Sequence, residues 1–249
     1  MVSYSGNFED VILHRALADV RNGCYADVGA SHPIAYSNTY AFYEKGWRGI
    51  CVEPIGAYSG IWREARAEDV FVNAALGASA GQTTFHIYQQ TPQLSTGSKA
   101  TVQAWRKDGR LPDQSVAVPV LTLNSVLEQH LAGRTLHLLS IDVEGMEKDV
   151  LAGFDLGKYR PWVVVIEATR PGTPEPDYAG WEPMLLAAGY SMVYMDGLNR
   201  FYLSGEHPEL RGRFALPPNV FDHFELARER DLRVRCAELE AQLAALKTR

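Results

Sequence analysis

Basic residues are in deficit in this chain: 24 Lys and Arg against 30 Asp and Glu give a formal charge of -6 over 249 residues. An acidic balance argues against general binding to nucleic acid or anionic membrane. Cysteine is scarce, with three residues (Cys24, Cys51, Cys236) far apart and no CxxC. Cys24 and Cys51 fall in apolar runs, where a free thiol acts as a small hydrophobe, so a reducing, cytoplasmic setting is expected. The first residues, MVSYSGNFEDVIL, lack a basic region followed by an apolar stretch, so no secretory signal is legible. No run approaches the roughly 18 apolar residues of a membrane span. The dinucleotide fingerprint GxGxxG is missing too. What the chain does have is 46% hydrophobic residues, enough for one substantial core.

Apolar runs with polar tips predict strands at Tyr25–Val28, Gly49–Glu53, Val70–Ala75, Leu136–Val143 and Trp162–Ala168, with helices near 36–46, 57–67, 122–132, 146–152 and 179–188. Alternation of this kind implies a doubly wound, mostly parallel α/β sheet. Runs at 190–196 and 199–204, joined by Gly197-Leu198, can only form a hairpin, so an antiparallel strand is expected at the sheet's end. Gln82–Tyr88 and Ser115–Thr122 are strand-like and flank a polar segment, 89–113, long enough to be a lid or binding loop. After Pro217-Pro218, Leu232, Cys236, Leu239, Leu243 and Leu246 recur at alternating spacings of four and three. That is a heptad seam, marginal alone, which calls for a partner helix. The expected units are therefore a domain over 1–216 and a helical, coiled-coil-like tail over 217–249.

Three constellations carry chemistry. In Asp27-Val-Gly29-Ala30-Ser-His32 a strand ends in an acid and a single glycine, and Glu53 ends the next strand. A glycine turn beside a strand-tip carboxylate suits a nucleoside whose ribose hydroxyls the acid accepts; helix capping by Asp27 is the plainer alternative. In Ser140-Ile-Asp142-Val-Glu144-Gly145-Met-Glu147 a strand delivers Asp142 and Glu144 to the edge where open α/β folds bind ligands. Two acids so placed suit a divalent cation or a general base, although either Glu144 or Glu147 can instead cap the next helix. Glu167 ends the following strand and should lie beside Asp142, which makes the pair a candidate metal site unless Arg170 or Arg200 neutralises Glu167.

Taken in order, YADVGASHP, GWRGICVEP, FVNAALG, LLSIDVEGMEKDVL, VVVIEAT and DGLNRFYLS resemble the motifs of FkbM-family methyltransferases over roughly residues 20–224. The resemblance implies a class I methyltransferase (Rossmann-like) fold and S-adenosylmethionine as cofactor. It implies that Asp27, Gly29 and Ala30 face the methionine end, Glu53 the ribose, and Asn73, Ala74 and Ala75 the adenine, with Asp142 also against the cofactor. Ser95 and Thr96 would lie in a loop closing over the site, and Asp196, Asn199 and Arg200 would meet the acceptor. The implied reaction is O-methylation of a sugar, a glycan or a glycosylated metabolite. Asp142, Glu144 or His32 is the candidate base, and Asp142 with Glu167 the candidate site for Mg²⁺ or another divalent cation. Two rivals remain: a nicotinamide-dependent oxidoreductase, and a catalytically silent scaffold that assembles through its tail.

Overall fold

The computed structural model describes residues 1–247. In chain order its strands are β1 (Val2–Ser3), β2 (Cys24–Val28), β3 (Arg48–Val52), β4 (Val70–Val72), β5 (Ala75–Leu76), β6 (Gly81–Ile87), β7 (Gln114–Leu121), β8 (Leu138–Ile141), β9 (Val163–Glu167), β10 (Tyr190–Met195), β11 (Asn199–Ser204) and β12 (Glu225–Leu226). Seven form the central sheet in the order β10-β11-β9-β8-β2-β3-β4. The run β4-β3-β2-β8-β9 is parallel, while β11 is antiparallel to both of its neighbours. The antiparallel strand therefore lies one place inside the edge expected for it, because the hairpin turns β10 outward to cap the sheet. From β2 the chain proceeds to β3 and β4 on one side, and from β8 to β9 on the other. That reversal opens a crevice at the carboxyl tips of β2 and β8.

Side-chain alternation builds a core on each face of the sheet. Cys24, Ala26 and Val28 of β2 join Ile50, Leu139, Ile141 and Val164 on one face, against Leu123, Leu127, Val150 and Leu185. Tyr25, Cys51, Leu138 and Val163 point the other way, against Ile12, Phe42, Trp47 and Trp62. The helices Leu123–His130 and Glu147–Ala152 thus cover one face, and Glu9–Ala16 and Ser59–Ala65 the other.

Four segments differ from the sequence expectation. The run Val70–Ala75 is divided: Asn73 turns aside to donate its amide to the Glu53 carbonyl at 2.8 Å, and β5 leaves for a small sheet of order β5-β7-β6. The helix expected over 36–46 shrinks to Tyr40–Tyr43, since Tyr36 adopts a left-handed φ of 61° that no continuing helix accepts. The segment 89–113 carries a helix, Lys99–Lys107, started by the Ser98 hydroxyl accepting the Thr101 N–H at 3.2 Å. The tail's helix begins only at Ala227. Before it, β12 pairs with β1, and Arg15 binds Asp222 at 3.1 Å, so residues 217–226 lie against the N-terminal segment. Leu232, Cys236, Leu239, Leu243 and Leu246 are exposed on that helix, and the last two residues of the tail fall outside the described residues. Among the described residues no helix is long and apolar enough to cross a membrane.

Candidate functional site

The crevice is built by a close approach between the tips of β2 and β8. Gly29 donates its N–H to the Val52 carbonyl at 3.0 Å, and Asp142 donates its own to Val28 at 2.9 Å. Gly29 has φ +80°, and a Cβ there would stand 1.7 Å from the Asp142 carbonyl oxygen. Only glycine meets both demands, which leaves bare backbone facing the cleft.

Two compartments flank this contact. On the β3 side, Glu53, Ile55, Ala74, Ala75, Phe85 and Val143 form a narrow, mostly apolar slot. Glu53 accepts the Ser31 N–H at 2.8 Å and the Ile55 N–H at 2.7 Å, which fixes the carboxylate in place. Burial still dominates and pushes Glu53 up to about 7. On the other side lie Asp27, Ala30, Ser37, Asn38, Ser140 and Asp142. Gln93 lines both compartments, and Pro92 and Ser95 border the first, so the beginning of the 89–113 segment covers the crevice.

Asp27 is held from beneath by residues that sequence reasoning did not single out. It accepts the Thr39 hydroxyl proton at 2.6 Å, and Thr39 accepts from the buried Arg66 guanidinium at 3.0 Å. Arg66 also pairs with Asp69 and donates to the Tyr25 hydroxyl, both with fully or largely enclosed side chains. Burial raises the Asp27 carboxyl above the ordinary range, with Thr39 and Arg66 opposing that shift.

The acids expected at the tips of β8 and β9 meet in space. Asp142, Glu144 and Glu167 each present one oxygen, and those atoms lie within 4.8 Å of one another. Each of the three also has a buried oxygen without a hydrogen-bond partner. Neither arginine neutralises Glu167: Arg170 pairs with Glu175 and Arg200 with Glu182. Burial, followed by repulsion from neighbouring acids, Glu147 included, drives all three carboxyls upward. Glu144 adopts φ +55° and Gly145 φ +97°, a turn held by Glu147, which accepts from the Val143 and Gly145 N–H groups. Thr96, fully buried, donates its hydroxyl to the Glu144 carbonyl at 2.8 Å. Orphaned buried carboxylate oxygens facing one another are costly unless a proton or a cation lies between them, and this oxygen-only set fits a hard divalent cation.

The remaining candidates lie apart from the crevice lining. His32 Nδ1 accepts from the N–H groups of Ile34 and Ala35, which leaves only Nε2 free. Burial lowers its pKa and favours the neutral ring. Asp196 accepts from the N–H groups of Leu198 and Asn199 in the hairpin turn. Asn199 donates to Glu9 at 2.8 Å. Arg200 donates to Glu182 at 2.5 Å and lies over the Tyr178 ring. Gln93 gave no sequence signal, being one amide in a polar segment; Arg66 reads from sequence as a solvated helix-end charge.

A mostly parallel sheet with a glycine-turn crevice and acids at its strand tips is an open α/β frame whose crevice lies where such folds bind ligands. A family model described as a methyltransferase FkbM domain matches residues 27–192, more than half of the chain. The chain belongs to the FkbM methyltransferase family, whose members generally use S-adenosylmethionine. Neither curated proteins nor solved structures gave a match.

Proposed function

We propose that the protein is an S-adenosylmethionine-dependent O-methyltransferase acting on a hydroxyl of a sugar, a glycan or a glycosylated metabolite. The observation that carries this reading is the meeting of Asp142, Glu144 and Glu167 beside the Gly29 contact. The strand order, with one antiparallel strand inside the edge, further supports a class I methyltransferase frame. When bound, S-adenosylmethionine supplies a sulfonium methyl whose carbon–sulfur bond breaks as the acceptor oxygen bonds to carbon, leaving S-adenosylhomocysteine.

The chain's own residues do the rest. Bare backbone at Gly29 and Ala30, with Asp27 nearby, receives the methionine end. Glu53 keeps lone pairs for ribose hydroxyls while its two N–H donors hold it still, and Ala74 and Ala75 leave a flat apolar wall for the adenine. Pro92 to Ser95 exclude water from above. A hydroxyl is a weak acid, so the remaining task is to hold its oxygen in line and accept its proton. A carboxylate of the cluster, raised toward neutral pH by burial, is suited to that role, and Asp142 lines both compartments of the crevice. Asp142, Glu144 and Glu167 would hold a divalent cation, which would supply Lewis-acid lowering of the hydroxyl pKa.

The exposed seam of the C-terminal helix supports self-association through a second copy of that helix. Light scattering of the full chain against a 1–226 truncation tests it, since 217–226 pack against the N-terminal segment. The function itself is tested by an acceptor screen with methyl-labelled S-adenosylmethionine, with and without EDTA. Label in a glycoside that EDTA suppresses supports both parts of the reading; label in no hydroxyl compound contradicts it.

A further inference from the structure

A second cleft opens beyond the acid cluster, between the helix Lys99–Lys107 and residues 170–177, with a volume of about 510 Å³. Gly145 forms part of its floor, one residue past Glu144, and its far wall starts at Arg170, three residues past Glu167. Three residues of chain reach at most about 11 Å, so both boundaries lead directly back to the acids. The cleft is also far roomier than the slot beside Glu53 and shares none of its lining residues.

Several of its polar groups are available, in contrast to those of Thr96, Asp196 and Asn199, which are engaged within the protein. The Trp105 indole N–H makes no hydrogen bond among the described residues. The Arg110 guanidinium lies 5.0 Å from the Trp105 ring centroid and has no carboxylate partner among the described residues. Both donors converge on Gly172: a Cβ there would lie 3.7 Å from Arg110 Nη1 and 4.0 Å from Trp105 Nε1. The carboxylates of Asp108 and Asp177 also line the cleft, and Ala104 and Pro171 add apolar surface. Unpaired donors and acceptors interleaved with small apolar patches match a pyranose ring, whose hydroxyls both donate and accept around an apolar C–H face. A purely anionic ligand fits less well, because Asp108 and Asp177 share the lining with Arg110.

We infer that this cleft is the acceptor site and that it takes a pyranoside, with Trp105 and Arg110 as the residues that hold the ring. The inference rests on the methyl-transfer reading for its chemistry, but its binding can be measured separately.

The experiment uses the full chain with S-adenosylhomocysteine present. Saturation-transfer NMR is recorded with the methyl α-pyranosides of glucose, galactose, mannose and rhamnose, and with cyclohexanol as a control. At least one pyranoside should receive saturation. Ala104→Trp, which fills the cleft from an exposed helix position, should cut that signal at least five-fold, as should Arg110→Ala. S-adenosylhomocysteine affinity should stay within two-fold in both variants. Trp105→Phe keeps an aromatic ring and removes the N–H, so an intermediate loss checks the hydrogen bond if Ala104→Trp fails to fold. No signal from any pyranoside, or a signal that the soluble variants leave intact, overturns the assignment. Failure of the wild-type chain to bind S-adenosylhomocysteine refutes the methyl-transfer reading instead, whatever the sugars do.

Discussion

The carbonyl oxygen of Asp142 occupies the space in which a side chain on Gly29 would begin, 1.7 Å from an ideal Cβ. Strands β2 and β8 are thereby locked tip to tip, and the crevice is defined by what Gly29 lacks. Gly29→Ala should both strain a φ of +80° and force the two strands apart. The expected result is a loss of about 2 kcal/mol or more in stability, together with at least a ten-fold loss of S-adenosylhomocysteine affinity. Thermal unfolding and calorimetry on the same preparation would read both.

Beneath the crevice, Arg66 joins Asp69, Tyr25 and Thr39, and through Thr39 it supports Asp27. Removing one partner of a buried ion pair leaves the other charged and unpaired, at a cost of about 3–5 kcal/mol. Arg66→Ala should lose stability on that scale in urea titration. Arg63→Ala, a change on the same helix whose guanidinium only donates to the Ser59 carbonyl at the surface, should change stability by less than about 0.5 kcal/mol.

Much of the site is legible in the sequence because buried strands are continuous apolar runs and the acids that end them stand out. Asp27, Glu53, Asp142, Glu144 and Glu167 are visible for this reason, and the sheet's parallel order follows from the alternation of runs. Arg66 and Thr39 are not visible, since nothing local tells a buried guanidinium from a solvated one. The helix Lys99–Lys107 escapes notice because it buries only Val102 and Trp105, too few to set a period. The break between β4 and β5 depends on one side-chain bond from Asn73 to the Glu53 carbonyl, a tertiary contact that leaves no local trace.

Glu53 supplies a pH signature. Its native pKa lies at about 7 against an ordinary 4.5, so between those values the folded chain retains a proton that the unfolded chain releases. Stability from this group is therefore fully present below pH 4.5 and declines as pH rises through 7. The interval corresponds to about 3 kcal/mol. The stability of the wild-type chain minus that of Glu53→Gln should fall by about that amount between pH 4.5 and 8, as measured by urea titration at each pH. A difference that does not vary with pH would show that Glu53 ionises normally.

The acid cluster should respond to cations. At pH 7.5, millimolar Mn²⁺ or Mg²⁺ should raise the unfolding temperature of the wild-type chain, while Asp142→Asn and Glu167→Gln should abolish the rise. All three carboxyls are raised, so a bound cation must displace protons. Affinity should accordingly strengthen from pH 6 to pH 8, and calorimetry in buffers of different ionisation enthalpy would detect the released protons. Once an acceptor is in hand, Asp142→Ala should abolish methyl transfer.

The Gly29 crevice, bounded by Glu53 and Asp142, is where S-adenosylmethionine should bind. Isothermal calorimetry of the full chain with S-adenosylhomocysteine, with NAD, and with S-adenosylhomocysteine on Asp142→Ala tests it most directly. Saturable micromolar binding of S-adenosylhomocysteine is expected, with affinity within a few-fold for Asp142→Ala and no heat from NAD. Binding of NAD in preference to S-adenosylhomocysteine, or binding of neither, would contradict it.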